Sequence, residues 1–125
     1  MNFLGIDYGT KHIGLALAVS EIINTIPSIE NNSESVDKIN KILIENRVDK
    51  IFVGLSVGRV AQKTLEFIKS LRSVIKLPIE TVEESVSTIE AAEIYKRNLR
   101  SKKFYKKQID SIAAAVILNR VISSN

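Results

Sequence analysis

Residues 3–19, FLGIDYGTKHIGLALAV, form two apolar runs separated by a short polar break. The first run is apolar except for Asp7, and the second begins at Ile13 and ends at Val19. The break, Gly9-Thr10-Lys11, has the composition of a tight turn. We therefore predict two antiparallel strands joined by this turn, with Asp7 near the end of a first strand that takes a central position.

The rest of the chain alternates between strand-like and helix-like patterns. Short apolar runs predict strands over residues 25–29, 51–55 and 78–82, and Pro27 favours an edge position for the first of these. Helical spacing of apolar residues predicts helices over 36–43, 61–71 and 109–121. A further helix is predicted from the capping-box pattern at Ser87 to about Leu99. This order predicts an α/β fold in which helices flank a mixed five-stranded sheet.

Length and composition limit the classes of protein to consider. The chain has 125 residues, 45% of them hydrophobic and 26% charged, which predicts one folded domain over 1–125 and excludes wholesale disorder. With no cysteine and a single histidine, disulfides and thiolate or histidine-rich metal sites are excluded. No apolar run approaches the ~18 residues of a membrane span, and no signal peptide pattern is present. We expect a cytoplasmic protein without a membrane partner.

Positive charge is concentrated in one segment near the C-terminus. Although the chain has 18 basic and 14 acidic residues, the stretch 96–107 has seven basic residues and no acidic one. They are Lys96, Arg97, Arg100, Lys102, Lys103, Lys106 and Lys107. Such a run is commonly a solvated loop, but the interleaved aromatics Tyr95, Phe104 and Tyr105 are also typical of nucleic-acid binding, in which rings stack on bases and lysines neutralise phosphates.

Three acidic residues occupy positions unusual for surface carboxylates. Asp7 ends an apolar strand, Glu84 follows the 78–82 strand, and Asp110 opens the last helix one turn before a run of alanines. The carboxyl ends of parallel strands meet at one crevice, so Asp7 and Glu84 would share it if their strands were neighbours, and a helix packed across it would add Asp110. Three carboxylates buried together require a cation, and an oxygen-only ligand set suits Mg²⁺ or Mn²⁺.

Each of these residues also has a simpler interpretation. Asp7 before Gly9 is compatible with an Asx turn, Glu84 with a solvated strand end, and Asp110 with a first-turn carboxylate that interacts with the helix dipole. Thr10 and Lys11 are candidates for holding a phosphate near the acids. Ser87 and Thr88 are also candidates, but helix capping explains Ser87 better.

Four blocks of the sequence resemble the YqgF family, also called RuvX, which comprises Holliday-junction-resolvase-like proteins to which pre-16S rRNA nuclease activity is ascribed. The blocks are residues 5–16 (GIDYGTKHIGLA), 53–55 (VGL), 83–91 (EESVSTIEA) and 110–118 (DSIAAAVIL), and they occur in family order. The resemblance implies an RNase H-like fold and a metal-dependent phosphodiesterase site. Matched position by position, it places the family's three catalytic acids on Asp7, Glu84 and Asp110.

The chain departs from the family pattern beside these acids. Ser85 stands where the family has an arginine, and Ser56 stands where it commonly has a proline. Glu83 replaces a common aspartate, and the loop over 57–60 is shorter and less polar than usual. The departures leave the three acids intact but weaken the assignment of a substrate.

Three functions remain for comparison. The first is a Mg²⁺- or Mn²⁺-dependent endonuclease acting on the 5′ end of pre-16S rRNA or on four-way DNA junctions, either as a monomer or as a homodimer. The second is a phosphate-binding ATPase or sugar kinase, because Asp7-x-Gly9-Thr10 followed by Gly14 also resembles the first phosphate loop of the actin, Hsp70 and sugar-kinase superfamily. That architecture, however, needs two related domains, and this chain has the length of one. The third is a non-catalytic module that docks on RNA or the ribosome through its basic segment.

Overall fold

The computed structural model of the chain describes residues 1–55, 58–83 and 102–123, and for residues 59 and 102–110 it describes the backbone alone. These ranges contain five strands and three helices. In chain order they are β1 (Asn2–Tyr8), β2 (His12–Val19), β3 (Ile22–Glu30), α1 (Ser35–Glu45), β4 (Lys50–Leu55), α2 (Arg59–Val74), β5 (Ile79–Glu83) and α3 (Lys102–Ser123). The helix predicted to begin at Ser87 lies outside the described residues.

The five strands form one mixed sheet in the order β3-β2-β1-β4-β5. β2 is antiparallel to both β1 and β3, whereas β4 is parallel to both β1 and β5. This arrangement confirms the predicted mixed sheet, the antiparallel opening and the central position of β1. The carboxyl ends of β1, β4 and β5 lie at the same edge of the sheet because these three strands are parallel.

β3 begins earlier than predicted, at Ile22, because the turn before it carries no glycine or asparagine to mark it. Ser20 and Glu21 join β2 to β3 with φ values of 51° and 69°, the positive angles that a two-residue hairpin turn of type I′ requires. Further along, the pairing register shifts between Ile13 and Leu15 of β2. Pro27 and Ser28 of β3 both lie opposite Gly14, so Pro27 is part of the bulge on the edge strand, where its missing N–H group removes no ladder hydrogen bond from a central strand.

Helices cover both faces of the sheet. Residues of α1 and α2, among them Ile39, Leu43 and Leu71, share one core cluster with alternate residues of β1 such as Leu4 and Ile6. α3 covers the other face, where Ala114, Ile117 and Leu118 pack with Ala16, Ala18 and Phe52. The structure is therefore a three-layer α/β arrangement in which β1 is buried from both sides.

Gly5 lets α3 approach β1 closely. A Cβ atom at this position would lie 2.7 Å from Leu118 Cγ and 2.8 Å from the carbonyl oxygen of Ala114. Both distances are shorter than real Cβ contacts, so a larger residue requires the helix or the strand to move. The glycine in the middle of a central strand is thus explained by the close approach of a helix.

α3 differs from the predicted last helix in length and in burial. It begins at Lys102 rather than near residue 109, because the sequence 102–109 contains no glycine or proline to interrupt a helix. Residues 111–118 are all buried, so the apolar surface is wider than the predicted single stripe, as expected of a helix covered on more than one side. In the part of the chain that the structure describes, no helix is long and apolar enough to cross a membrane.

Candidate functional site

Asp7 lies between two glycines in the row of residues that crosses the sheet. It pairs with Gly14 of β2 on one side and with Gly54 of β4 on the other, and Gly54 in turn pairs with Val82 of β5. Paired residues project to the same face of a sheet, and neighbouring strands are about 4.8 Å apart. Neither flanking glycine has a side chain, so the row places no side chain of β2 or β4 directly beside the Asp7 carboxylate.

The face on which Asp7 lies is the one covered by α3. Gly5, two residues earlier, approaches Ala114 and Leu118 of that helix, and residues two apart in a strand project to the same face. Tyr8 projects to the opposite face, where its ring centroid lies 4.8 Å from that of Phe67. The carboxylate of Asp7 is thus directed towards α3, at the carboxyl edge of the central strand, and it is partly exposed to solvent.

The backbone of Asp110 reaches the same part of the sheet through its neighbour Ser111. The Ser111 hydroxyl accepts a hydrogen bond from the N–H group of Leu15 at 3.3 Å and donates one to the carbonyl oxygen of Ile26. Leu15 pairs with Ile6, the residue before Asp7. α3 is therefore attached at Ser111 to β2, the strand next to β1, close to the Gly14–Asp7 pair.

Glu84 follows the last residue of β5 and lies outside the described residues. The strand before it ends at the same edge as β1, but the two strands are separated by β4 and are not the direct neighbours that the sequence left open. The intervening strand contributes Gly54 to the row, so its backbone alone separates Asp7 from β5. The end of β5 is also tied to α3, since Arg120 Nη1 donates a hydrogen bond to the Glu83 carbonyl oxygen at 2.9 Å.

The potential metal ligands at this edge of the sheet are carboxylate oxygens, which suit a hard divalent cation. The sequence has no cysteine, and its single histidine, His12, is exposed at the start of β2. Among the residues that the structure describes, no group of three or more potential metal ligands is found. Of the three predicted ligands, Asp7 has a described side chain, and carboxylate oxygens suit Mg²⁺ or Mn²⁺.

The turn after β1 presents Thr10 and Lys11 at this edge, and both are exposed. Asn31 holds the turn by two hydrogen bonds: its Nδ2 donates to the Gly9 carbonyl oxygen at 2.8 Å, and its backbone N–H group donates to the Lys11 carbonyl oxygen at 2.9 Å. A side chain on Gly9 would overlap the carbonyl oxygen of His12. The turn that we predicted from the sequence is confirmed, and its conformation depends on a distant asparagine that the sequence did not single out.

The predicted basic residues Lys102, Lys103, Lys106 and Lys107 lie in the first two turns of α3. The interpretation of this part of the basic segment as a loop is therefore wrong. Lys106 and Lys107 precede Asp110 by four and three residues, which is about one helical turn. The helical backbone thus places Lys106 and Lys107 about one turn from Asp110.

A family model described as "RuvX: Holliday junction resolvase" matches residues 1–124. The chain belongs to the RuvX family. A relative from Buchnera aphidicola subsp. Baizongia pistaciae, named "Putative pre-16S rRNA nuclease", is 33% identical over 94% of this chain and 93% of its own length. A relative of the same name from Desulforamulus reducens is 32% identical over 99% of this chain and 98% of its own.

Solved structures show the same fold at low sequence identity. RuvC of T. thermophilus, solved in complex with a Holliday junction substrate, aligns with a TM-score of 0.64 at 12% identity and covers 99% of this chain and 95% of that one. The fowlpox virus Holliday junction resolvase aligns with a TM-score of 0.61 at 13% identity, covering 99% and 98%. This RuvX-family chain therefore has the RuvC-like, RNase H-like fold that its sequence predicts.

Proposed function

We propose that this RuvX-family chain is a nuclease that hydrolyses phosphodiester bonds in structured nucleic acid. Its proposed reaction is the processing of the 5′ end of pre-16S rRNA, and its proposed location is the cytoplasm. The observation on which the proposal depends is the placement of Asp7 between Gly14 and Gly54 on the central strand. An acidic side chain flanked by two glycines, at the carboxyl edge of an RNase H-like sheet, is suited to hold a ligand. The names of the full-length relatives supply the substrate class.

The proposed cofactor is Mg²⁺ or Mn²⁺, held by the carboxylates of Asp7, Glu84 and Asp110. Support comes from the oxygen-only donor set and from the attachment of Ser111, which brings the backbone of Asp110 to the β2 side of Asp7. When bound, such a cation orients the scissile phosphate, activates a water molecule for attack and stabilises the leaving oxygen. The three carboxylates provide the negative charge that retains the cation, and the two glycines keep side chains of β2 and β4 away from it.

The proposed contacts to the nucleic-acid backbone are Thr10 and Lys11 in the turn after β1, together with Lys102, Lys103, Lys106 and Lys107 in α3. The turn is exposed and held by Asn31, so it offers its hydroxyl and ammonium groups in a defined place at the acidic edge. The four lysines occupy successive turns of one helix that leads to Asp110. Cationic groups on both sides of an acidic centre attract a polyanion to the site where it is cut.

The test is a Mn²⁺-dependent cleavage assay of the native protein and Asp7→Asn on precursor rRNA, on single-stranded RNA and on a synthetic four-way DNA junction. Asp37→Asn is the matched control, since Asp37 is an exposed aspartate in the first turn of α1, a helix that packs on the sheet face opposite α3. We expect Asp7→Asn to lose about 10³-fold or more in rate while Asp37→Asn retains the native rate, as removal of a metal-holding carboxylate removes most of the charge stabilisation. Equal cleavage by native protein and Asp7→Asn would refute the assignment.

Cleavage of four-way DNA junctions is the second candidate, favoured by the description of the matching family model. A junction has two-fold symmetry, so this function predicts a homodimer that light scattering would detect. Preference for the junction over precursor rRNA in the same assay would reverse the ranking. Binding to RNA that persists in chelator, with no cleavage of any of the three substrates, would instead indicate a non-catalytic RNA- or ribosome-binding module.

A further inference from the structure

Ser111 occupies a gap in the hydrogen-bond ladder between β2 and β3. Leu15 and Ile26 are paired residues on these strands, but the Ser111 hydroxyl lies between their backbone groups, accepting from the N–H group of Leu15 and donating to the carbonyl oxygen of Ile26. The register shift of the β2–β3 pair falls directly beside it, between Ile13 and Leu15. A side chain from α3 thus completes a strand pairing that the two strands do not complete themselves.

The hydroxyl that makes the bridge is shielded from water, because Ser111 has 0% exposure. A serine hydroxyl has one hydrogen to donate and two lone pairs to accept, so it satisfies both strands at once. Without it, the buried N–H group of Leu15 and the partly buried carbonyl group of Ile26 would lose this partner, and the loss is costly where water cannot replace it. The hydroxyl therefore ties α3 to one point of the sheet and opposes both sliding and rotation of the helix.

Asp110 directly precedes this tie, and Asp7 directly follows Ile6, the β1 partner of Leu15. A path of two peptide bonds, one hydrogen bond and one strand pairing thus connects the two acids. We propose that Ser111 is a positioning residue of the proposed cation site: its bridge to Leu15 and Ile26 sets the distance of Asp110 from Asp7, and so the affinity for the divalent cation. The inference rests on the proposed function.

Ser35 offers a matched control of the same chemistry. Its hydroxyl is also buried, with 2% exposure, and it also accepts from a backbone N–H group, that of Asn32, and donates to a backbone carbonyl, that of Glu30, both at 2.8 Å. It lies at the start of α1, a helix without a proposed cation ligand. Ser35→Ala therefore removes one accepted and one donated hydrogen bond to the backbone, as Ser111→Ala does, but leaves α3 attached.

The experiment measures Mn²⁺ binding by calorimetry in the absence of nucleic acid, for the native protein, Asp7→Asn, Ser111→Ala, Ser111→Thr and Ser35→Ala. Thermal unfolding and amide hydrogen exchange at Leu15 are recorded on the same samples. We expect Ser111→Ala to raise the Kd for Mn²⁺ about tenfold or more, the effect typical of losing a group that orients a metal ligand. Exchange at Leu15 should accelerate in that variant alone, and Ser111→Thr, which keeps the hydroxyl, should bind Mn²⁺ more tightly than Ser111→Ala.

The outcomes separate the two proposals. If native protein and Asp7→Asn bind Mn²⁺ equally or not at all, the proposed cation site is wrong and this inference falls with it. If Asp7→Asn loses binding while Ser111→Ala and Ser35→Ala share one Kd, the positioning role alone is refuted. Should Ser111→Ala fail to fold, Ser111→Cys takes its place, since a thiol of similar size is a weaker hydrogen-bond donor; a native Kd in that variant would equally refute the role.

Discussion

Replacement of Gly5 by alanine tests whether the contact between β1 and α3 is as tight as the structure indicates. The added methyl group would lie 2.8 Å from the Ala114 carbonyl oxygen and 2.7 Å from Leu118 Cγ, whereas ordinary contacts begin at 3.4 Å. Leu118 can rotate, but the carbonyl belongs to the helix backbone. Relief therefore requires α3 to move by about 0.6 Å, the difference between 3.4 Å and 2.8 Å.

The free-energy cost follows from this displacement. Overpacking of a core typically costs about 1–3 kcal/mol, and the reduced freedom of the unfolded chain returns up to about 1 kcal/mol for a glycine-to-alanine change. We expect a net loss of about 1–2 kcal/mol in the free energy of unfolding, which corresponds to a decrease in Tm of about 3–8 °C for a domain of this size. Urea titration followed by circular dichroism measures the first quantity, and thermal unfolding measures the second.

The Leu118→Ala variant tests whether the effect of Gly5→Ala arises from the contact between position 5 and Leu118. Alone it should destabilise the protein by about 2–5 kcal/mol, because it removes a buried side chain and leaves a cavity. The alanine methyl at position 5 would then enter part of that cavity, so the double variant should be more stable than the sum of the single effects by more than about 0.5 kcal/mol. Strict additivity, or a Gly5→Ala protein with the native Tm, would refute the close packing that we describe.

Three further predictions concern the proposed site. Exchange of both Lys106 and Lys107 for glutamine should make log K for RNA binding fall less steeply with log salt, by about 0.7 for each phosphate that the variant no longer neutralises. The same exchange at the exposed Lys38 and Lys41 of α1 should leave the slope unchanged. A native slope in the Lys106 and Lys107 variant would place α3 away from the nucleic acid. Gly54→Val should weaken Mn²⁺ binding in calorimetry by placing a side chain in the Asp7 row, although valine favours strands; native affinity would show that the row is not used. Excess EDTA should abolish cleavage in a gel assay and leave RNA binding in a filter assay, since the lysines bind phosphate without the cation; cleavage in EDTA would contradict the proposed cofactor.

Local patterns predict several elements correctly because their signals lie within a few residues of one another. The β1–β2 hairpin is marked by its apolar runs and by Gly9, and β4 by a continuous apolar run. The start of β3 escapes sequence prediction because Ser20 and Glu21 adopt positive φ angles without the residues that usually announce them. The start of α3 also escapes it, because a run of lysines is compatible with both a loop and a helix, and the structure decides in favour of a helix.

Some residues of the candidate site can be predicted from the sequence, and others only from the structure. Asp7 is recognisable from its apolar surroundings, and the structure places it on the central strand as expected. Gly14, Gly54 and Ser111 lie in the blocks that resemble the family, but the sequence does not predict their contacts, because these depend on cross-strand register and on a hydrogen bond between residues 96 positions apart. Glu84 lies outside the described residues, and its role in the site stays a prediction.

The amino-acid order alone determined which parts are present: an apolar central strand with one acid, a mixed sheet, candidate metal ligands that are all oxygen donors, and a local excess of lysines. Folding decided which of these meet. β4 rather than β5 lies beside β1, so a glycine, not a carboxylate, is the next residue in the row from Asp7. That choice depends on strand order and on the depth to which α3 packs over Gly5, which are settled by burial and steric fit between distant segments and leave no local mark in the chain.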